Sequence, residues 1–321
     1  MKKILSIAAA AATVLLTGCN KEKKVDQTIP LVAIINYGQI PPLLATVDGI
    51  KKELSDAGFA ENKNIRYEVA DIAFDHSLIP QAVTSLRSHG PKVMVVISTP
   101  IAQFAKGKIR DIPLVYAAIT DPVDARLVNS PDASVDNITG SSDMQNLSAL
   151  LSLVQSMLPQ AKTIGMLYAT SDCNDAALLN MMRREAKAAG MSLIAIPVDQ
   201  MRDIPVRIQE LRGKADLIYV GASGLQSALA VISGEAAKMD IPVFNMEEQS
   251  VREGQALACF GVNYDSVGRN AGKLVAKLLT GSAPGDLAPL FPGIEDHRCF
   301  INGKLAKKFA IKIPENATVV E

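Results

Sequence analysis

Lys92-Val93-Met94-Val95-Val96-Ile97-Ser98, a helix-like stretch and then Asp111-Ile112-Pro113-Leu114-Val115 recur later in the chain as Ala215-Asp216-Leu217-Ile218-Tyr219-Val220, a second such stretch and Asp240-Ile241-Pro242-Val243-Phe244. The apolar runs are continuous where a half-exposed strand would alternate, so each reads as a strand buried on both faces. Upstream of each pair lie a strand, a long helix and a glycine turn, Asp48 to Gly58 in one half and Asn174 to Gly190 in the other. A single strand-helix-strand match is the common grammar of α/β chains. Four elements in the same order predict two pseudo-symmetric lobes.

Working outward, strands are read at Leu31 to Asn36, Ile65 to Ala70, Val93 to Ser98 and Pro113 to Ile119, then at Thr163 to Ala169, Leu193 to Val198, Asp216 to Gly221, Pro242 to Asn245 and Ala256 to Val262. Helical periods separate them; one face of the segment from Leu147 carries Leu150, Leu151, Val154, Met157 and Leu158, with Pro159 as a stop. The class is α/β, with two doubly wound parallel-sheet lobes joined by a multi-strand hinge. The small polar run from Asp136 to Asp143 reads as one lobe crossing. A second falls near Val262 to Asp265, because the amphipathic helix Val267 to Leu279 has no counterpart in the repeat, and a third in the Pro- and Gly-rich stretch from Gly281 to Gly293. The expected division is 29–140 with 264–285 as one lobe and 141–263 with 286–321 as the other.

The amino terminus carries a different message. Lys2 and Lys3 precede an apolar run from Ile4 to Leu16 and then Leu16-Thr17-Gly18-Cys19. The run is short of the roughly 20 residues that span a bilayer, which favours a signal peptide over 1–18 against a transmembrane anchor. The ending has the form of a bacterial lipobox, making Cys19 the lipidation site and 19–28 a polar tether. Acyl chains would hold the protein to a membrane without spanning it. The formal net charge is zero, and nucleic acid, which demands a concentrated basic surface, is not an expected partner. Of the remaining cysteines, Cys173, Cys259 and Cys299 read as buried thiols, with a Cys259 to Cys299 bridge as the alternative; no metal-binding spacing is present.

In open α/β sheets ligands lie beyond the carboxyl ends of the strands. The residues there are Ser98-Thr99-Pro100, Thr120-Asp121-Pro122, Ser171-Asp172, Ser223-Gly224 and Asn245. Each pattern alone is satisfied by helix capping. Repeated on two facing sheet edges, they describe a shared polar crevice in which capping and binding coexist. Tyr37, Tyr168 and Tyr264 offer apolar contact, and Glu247 or Glu248, and Asp121, could accept from an amine.

Ser98-Thr99-Pro100-Ile101-Ala102-Gln103, Ile112-Pro113-Leu114-Val115-Tyr116 leading to Thr120-Asp121-Pro122, Asn137-Ile138-Thr139-Gly140, Leu158-Pro159 and Ile241-Pro242-Val243-Phe244 resemble, in order, the ABC transporter substrate-binding protein family with its TrpX-like binders of aromatic amino acids. The resemblance implies two lobes of the type I periplasmic-binding-protein fold, a small polar or amino-acid-like ligand between them, an ABC permease with its ATPase as partners, and a monomer. It places Thr99, Ala102, Thr120, Asp121, Ser142, Asp143 and Tyr168 around the cleft, beside Tyr37, Gln39, Ser98, Ser171, Ser223, Gly224, Glu247 and Tyr264 from the reading of the strand ends. Two departures stand out. Gly221-Ala222-Ser223-Gly224 occupies the place of an Asp-Asn pair, and Asn36 to Pro41 the place of a Glu-His-Pro element, so an ammonium would lack its usual partners.

Enzymatic chemistry is not expected: His76, His89 and His297 are scattered, and HExxH, GxSxG and P-loop patterns are absent. No cofactor is implied. A transcriptional regulator of the same architecture would need a DNA-binding head where this chain has an export signal. The remaining alternative is a lipoprotein that presents its ligand to a membrane sensor.

Overall fold

The computed structural model describes residues 29–221, 224–315 and 317–321. The readings at 1–18, at 19–28 with Cys19, and at Ser223 lie outside the described residues. The first sheet comprises β1 (Leu31–Asn36), β2 (Arg66–Asp71), β3 (Val93–Ile97), β4 (Leu114–Ile119) and β5 (Ile138–Ser142). The second comprises β6 (Thr163–Ala169), β7 (Ser192–Val198), β8 (Leu217–Tyr219), β9 (Val243–Asn245), β10 (Ala258–Val262), β11 (His297–Asn302) and β12 (Thr318–Val320). Helices α1 (Pro41–Asp56), α2 (Ile79–Ser88), α3 (Thr99–Lys108), α4 (Leu147–Met157) and α5 (Cys173–Ala188) precede α6 (Ile204–Arg207), α7 (Leu229–Ala237), α8 (Glu248–Arg252), α9 (Tyr264–Leu279) and α10 (Gly303–Lys308).

The strand order is β2-β1-β3-β4-β5 in one sheet and, read from its opposite edge, β7-β6-β8-β9-β10-β11-β12 in the other. The first five positions match, which is the echo of the two halves expressed as topology. Pairing is parallel except between β10 and β11. Continuous apolar runs are required because both faces are covered. Along β3, Val93, Val95 and Ile97 enter the core beneath α1 and α9, while Met94 and Val96 enter the core beneath α2 and α3. Burying each such side chain contributes about 1.5–3 kcal/mol.

Three strands differ from the sequence reading. Ile138 to Ser142, expected as part of a polar crossing, is a fully buried strand. Two of its three hydroxyls are paired: Thr139 Oγ1 donates to Leu287 O at 2.7 Å and Ser142 Oγ to Ile119 O at 2.6 Å, while Ser141 Oγ is buried without a partner among the described residues. An unpaired buried hydroxyl costs about 1–3 kcal/mol, so these two bonds offset most of the cost of burying such a sequence as a strand. Gly140 is needed because a Cβ there would lie 2.3 Å from Tyr116 O. Strands β11 and β12 close the far edge of the second sheet, and their mixed composition, with His297, Arg298 and Asn302 in β11, hides them.

Helix α9 returns from the second half and packs along α1 over the first sheet. Their backbones touch: a Cβ on Gly268 would sit 2.2 Å from Thr46 O, and one on Gly49 2.4 Å from Asp265 O. Arg269 pairs with Glu53, Asp56 and Asp265 along the seam. The Cys259 to Cys299 alternative is ruled out by register. Cys259 opposes Phe300 and Cys299 opposes Phe260, so the two thiols point to opposite faces of the sheet. Cys173 is exposed at the start of α5, where a buried thiol was expected.

Candidate functional site

The carboxyl ends of β1, β3, β4, β6, β8 and β9 face a common cavity of about 600 Å³. The first sheet supplies Tyr37 after β1, Ser98 after β3, and Ala118 and Thr120 at the end of β4. Ser98 and Ala118 are non-glycine residues at φ 84 and 53, and the pairing of β4 with β5 slips between Ala117 and Ile119. Left-handed backbone costs such residues about 1–3 kcal/mol and persists only where the surroundings impose it. Ser98 precedes α3, whose first turn has no side-chain cap. Pro41, Pro42 and Leu43 at the start of α1, together with Phe74, form an apolar wall. Phe74 packs edge-on to Tyr37 with centroids 5.3 Å apart, and the Tyr37 hydroxyl bonds His76 Nε2.

The second sheet supplies acids. Asp172 caps α5, its Oδ1 accepting from Asn174 N at 2.8 Å. Glu247, after β9, accepts from Gln226 Nε2 at 2.9 Å, and Gln226 is held in turn by Asn245 Nδ2 at 3.1 Å. Burial raises the Glu247 carboxyl above the usual carboxylate range. Between the sheets stands Asp143, 8% exposed, directly after β5. Tyr264 Oη, from the first residue of α9, donates to its Oδ2 at 2.9 Å, while Oδ1 is buried without a partner among the described residues. Burial pushes the Asp143 carboxyl up to about 6, the tyrosine bond opposing. The neighbouring Gln145 Oε1 is also buried without a partner.

The structure therefore brings Tyr37, Ser98, Thr120, Asp143, Gly224, Glu247 and Tyr264 to one wall. Other named residues do not line it. Gln39 and Ser171 are exposed. Ala102 is buried in the core on the α3 side of the first sheet, and Tyr168 packs on the α4 and α5 side of the second. Asp121 caps the turn at Val123 and Asp124. Ser142 is spent on Ile119 O, and Thr99 is buried at the start of α3. Sequence reasoning passed over Gln145, Asn174, Gln226 and Met246; of the Ser171-Asp172 pair at the end of β6, which it placed at the crevice with Ser171 as the site residue, Asp172 is the one that reaches the cavity. The signal for Asp172 was its place as the acid immediately before a helix; Gln226 carries no motif.

Residues 31–320 match the family described as ABC transporter substrate binding protein. A tyrosine-binding protein of Clostridioides difficile (strain R20291) is 32% identical over 299 residues, covering 89% of this chain and 86% of that one. Among solved structures, an ABC domain in complex with L-Trp from Streptococcus pneumonia superposes with a TM-score of 0.80 at 25% identity, over 91% of this chain and 100% of that one. A ligand-free, open substrate-binding protein with adhesive properties from Clostridium difficile gives a TM-score of 0.77 at 28% identity, over 91% and 99%. Two matched sheets, a crevice at their strand ends and a match along nearly the whole described chain converge: the chain belongs to the ABC transporter substrate-binding protein family, whose members bind small molecules for a permease and are not enzymes.

Proposed function

We propose that this protein is the extracytoplasmic solute-binding lipoprotein of an ABC importer and that it captures an amino-acid-like ligand with an aromatic or large apolar side chain. The observation that carries the reading is Asp143, a buried carboxylate with one unpartnered oxygen on the wall between the two sheets. Such an atom is costly in water's absence and is satisfied by a ligand ammonium. The α3 amino terminus with Ser98 and Thr120 offers donors to a carboxylate, and Tyr37, Phe74 and Pro41 to Leu43 receive the side chain. The tyrosine-binding relative and the L-Trp complex support that ligand class. So does the local replacement of the two absent family elements: Asp143, Asp172 and Glu247 restore acidic groups to the cleft.

In this reading the chain crosses between lobes at 143–146, at Asn263 and at 291–296, so the lobes open for ligand and close around it, and the closed form engages the permease. Membrane attachment comes from Cys19, and the protein works as a monomer. No helix among the described residues is long and apolar enough to cross a membrane.

The test is a thermal-shift series on protein unfolded and refolded to remove co-purified ligand. Aromatic and large apolar amino acids at about one hundred times their dissociation constant should add roughly 2.7 kcal/mol of stability. A response confined to sugars, nucleosides or organic acids would reject the amino-acid class. In the same cells, Cys19→Ser protein should leave the membrane fraction; retention there would reject the anchor.

A further inference from the structure

We infer that the ligand of this cleft carries more positive than negative charge, as an aromatic or apolar amine or an amino acid whose carboxylate is masked. The inference rests on the amino-acid-like reading above and narrows it. Three carboxylates line the cavity, Asp143, Asp172 and Glu247, and among the described residues its wall includes neither lysine nor arginine. None of the three is in a salt bridge among the described residues.

A zwitterion leaves this wall unbalanced. Its ammonium answers Asp143, whose Oδ1 is buried and unpartnered. Its carboxylate answers the uncapped start of α3 but brings a negative charge into a space already holding Asp172 and Glu247. Among the described residues Asp172 is stabilised by two α5 amides and Glu247 by one neutral amide donor, Gln226. Neutral donors orient a carboxylate without cancelling its charge, and in a half-enclosed, low-dielectric cleft the residual repulsion of an added anion is felt strongly. The raised carboxyls of Asp143 and Glu247 agree with this, since both are buried without a cation.

A metal ion does not resolve the imbalance. Among the described residues no group of three or more His, Cys, Asp or Glu side chains is close enough to hold one. The acids are instead distributed around an apolar interior formed by Leu43, Phe74, Leu178 and Met246. That arrangement suits an organic cation, whose charged group sits among carboxylates while its hydrocarbon meets the wall.

The test is isothermal titration at pH 7.5 of refolded protein with three ligands of one skeleton: tyrosine, tyrosinamide and tyramine. The amide and the amine should bind at least tenfold more tightly than the amino acid, and Asp172→Asn and Glu247→Gln should each shrink that ratio severalfold. Asn still caps α5 and Gln still accepts from Gln226, so the variants keep their structural bonds. Tyrosine binding as well as or better than both cations overturns the inference and leaves the amino-acid reading intact. Ratios unmoved by both substitutions also overturn it. Binding of none of the three overturns the amino-acid reading and the inference with it.

Discussion

Asp143 combines a short polar neighbourhood with an unfavourable position for its own charge. Its carboxyl titrates near 6 in the folded protein against an ordinary value of 3.8. Between those values the unfolded chain has released the proton and the folded one has not, so stability falls as pH rises across that window, by roughly 3 kcal/mol at the limit. Asp143→Asn removes the titration. The variant is expected to melt higher than the parent at pH 7.5 and equally near pH 4, while losing at least tenfold in ligand affinity; calorimetry at the two pH values checks both. A melting temperature unchanged at pH 7.5 would mean that the carboxylate is not strained. At this scale the sequence was informative about residue kind and less so about direction. Acids, hydroxyls and tyrosines at strand ends were legible, because the strand ends themselves were. Whether Ser171 or Asp172 turns inward depends on where β6 stops and α5 begins, which a pattern places only to within a residue or two. Ala102 lies one turn into α3, and the phase of that turn sends it to the core.

Helices and strands whose identity is set by apolar runs were readable; those set by a neighbour's backbone were not. Ile138 to Ser142 becomes a strand because Ile119 and Leu287 carbonyls receive two of its hydroxyls and Tyr116 leaves room only for Gly140. Those partners are remote in sequence, and no local pattern reports them. The seam of α1 and α9 is another contact of this kind. Gly268→Ala would force a methyl onto Thr46 O, and we expect a loss of about 1–3 kcal/mol in urea denaturation. Because α9 begins at Tyr264, which holds Asp143, ligand affinity should fall as well. Gly234→Ala in α7 is the control. Nothing lies within 4 Å of the added methyl, so helix propensity alone should raise stability, by up to about 1 kcal/mol. Equal effects of the two substitutions would show that the seam is looser than its geometry.

For the whole molecule, the matched strand orders were foreseeable from the repeated runs, whereas the ties between crossing segments were not. His297 is one such tie. Its Nε2 accepts from Asn146 N at 3.1 Å, its Nδ1 donates to Gly293 O at 2.8 Å, and its ring stacks on Phe260. Burial lowers its pKa below the ordinary 6.5, so its contribution to stability is present above 6.5 and is lost as pH falls. Replacing it by Gln, which can still accept from Asn146, should reduce the drop in melting temperature between pH 7.5 and 5.5; an unchanged drop would place the acid sensitivity elsewhere. The three cysteines of the described chain have one more consequence. Two are turned into opposite faces of a sheet, and the third, Cys173, is exposed between Asp172 and Asn174, which both line the cavity. A thiol-reactive, environment-sensitive dye would therefore attach at the mouth of the cleft in preference to the interior, and the native sequence already contains the handle for an optical sensor of whatever molecule fills it.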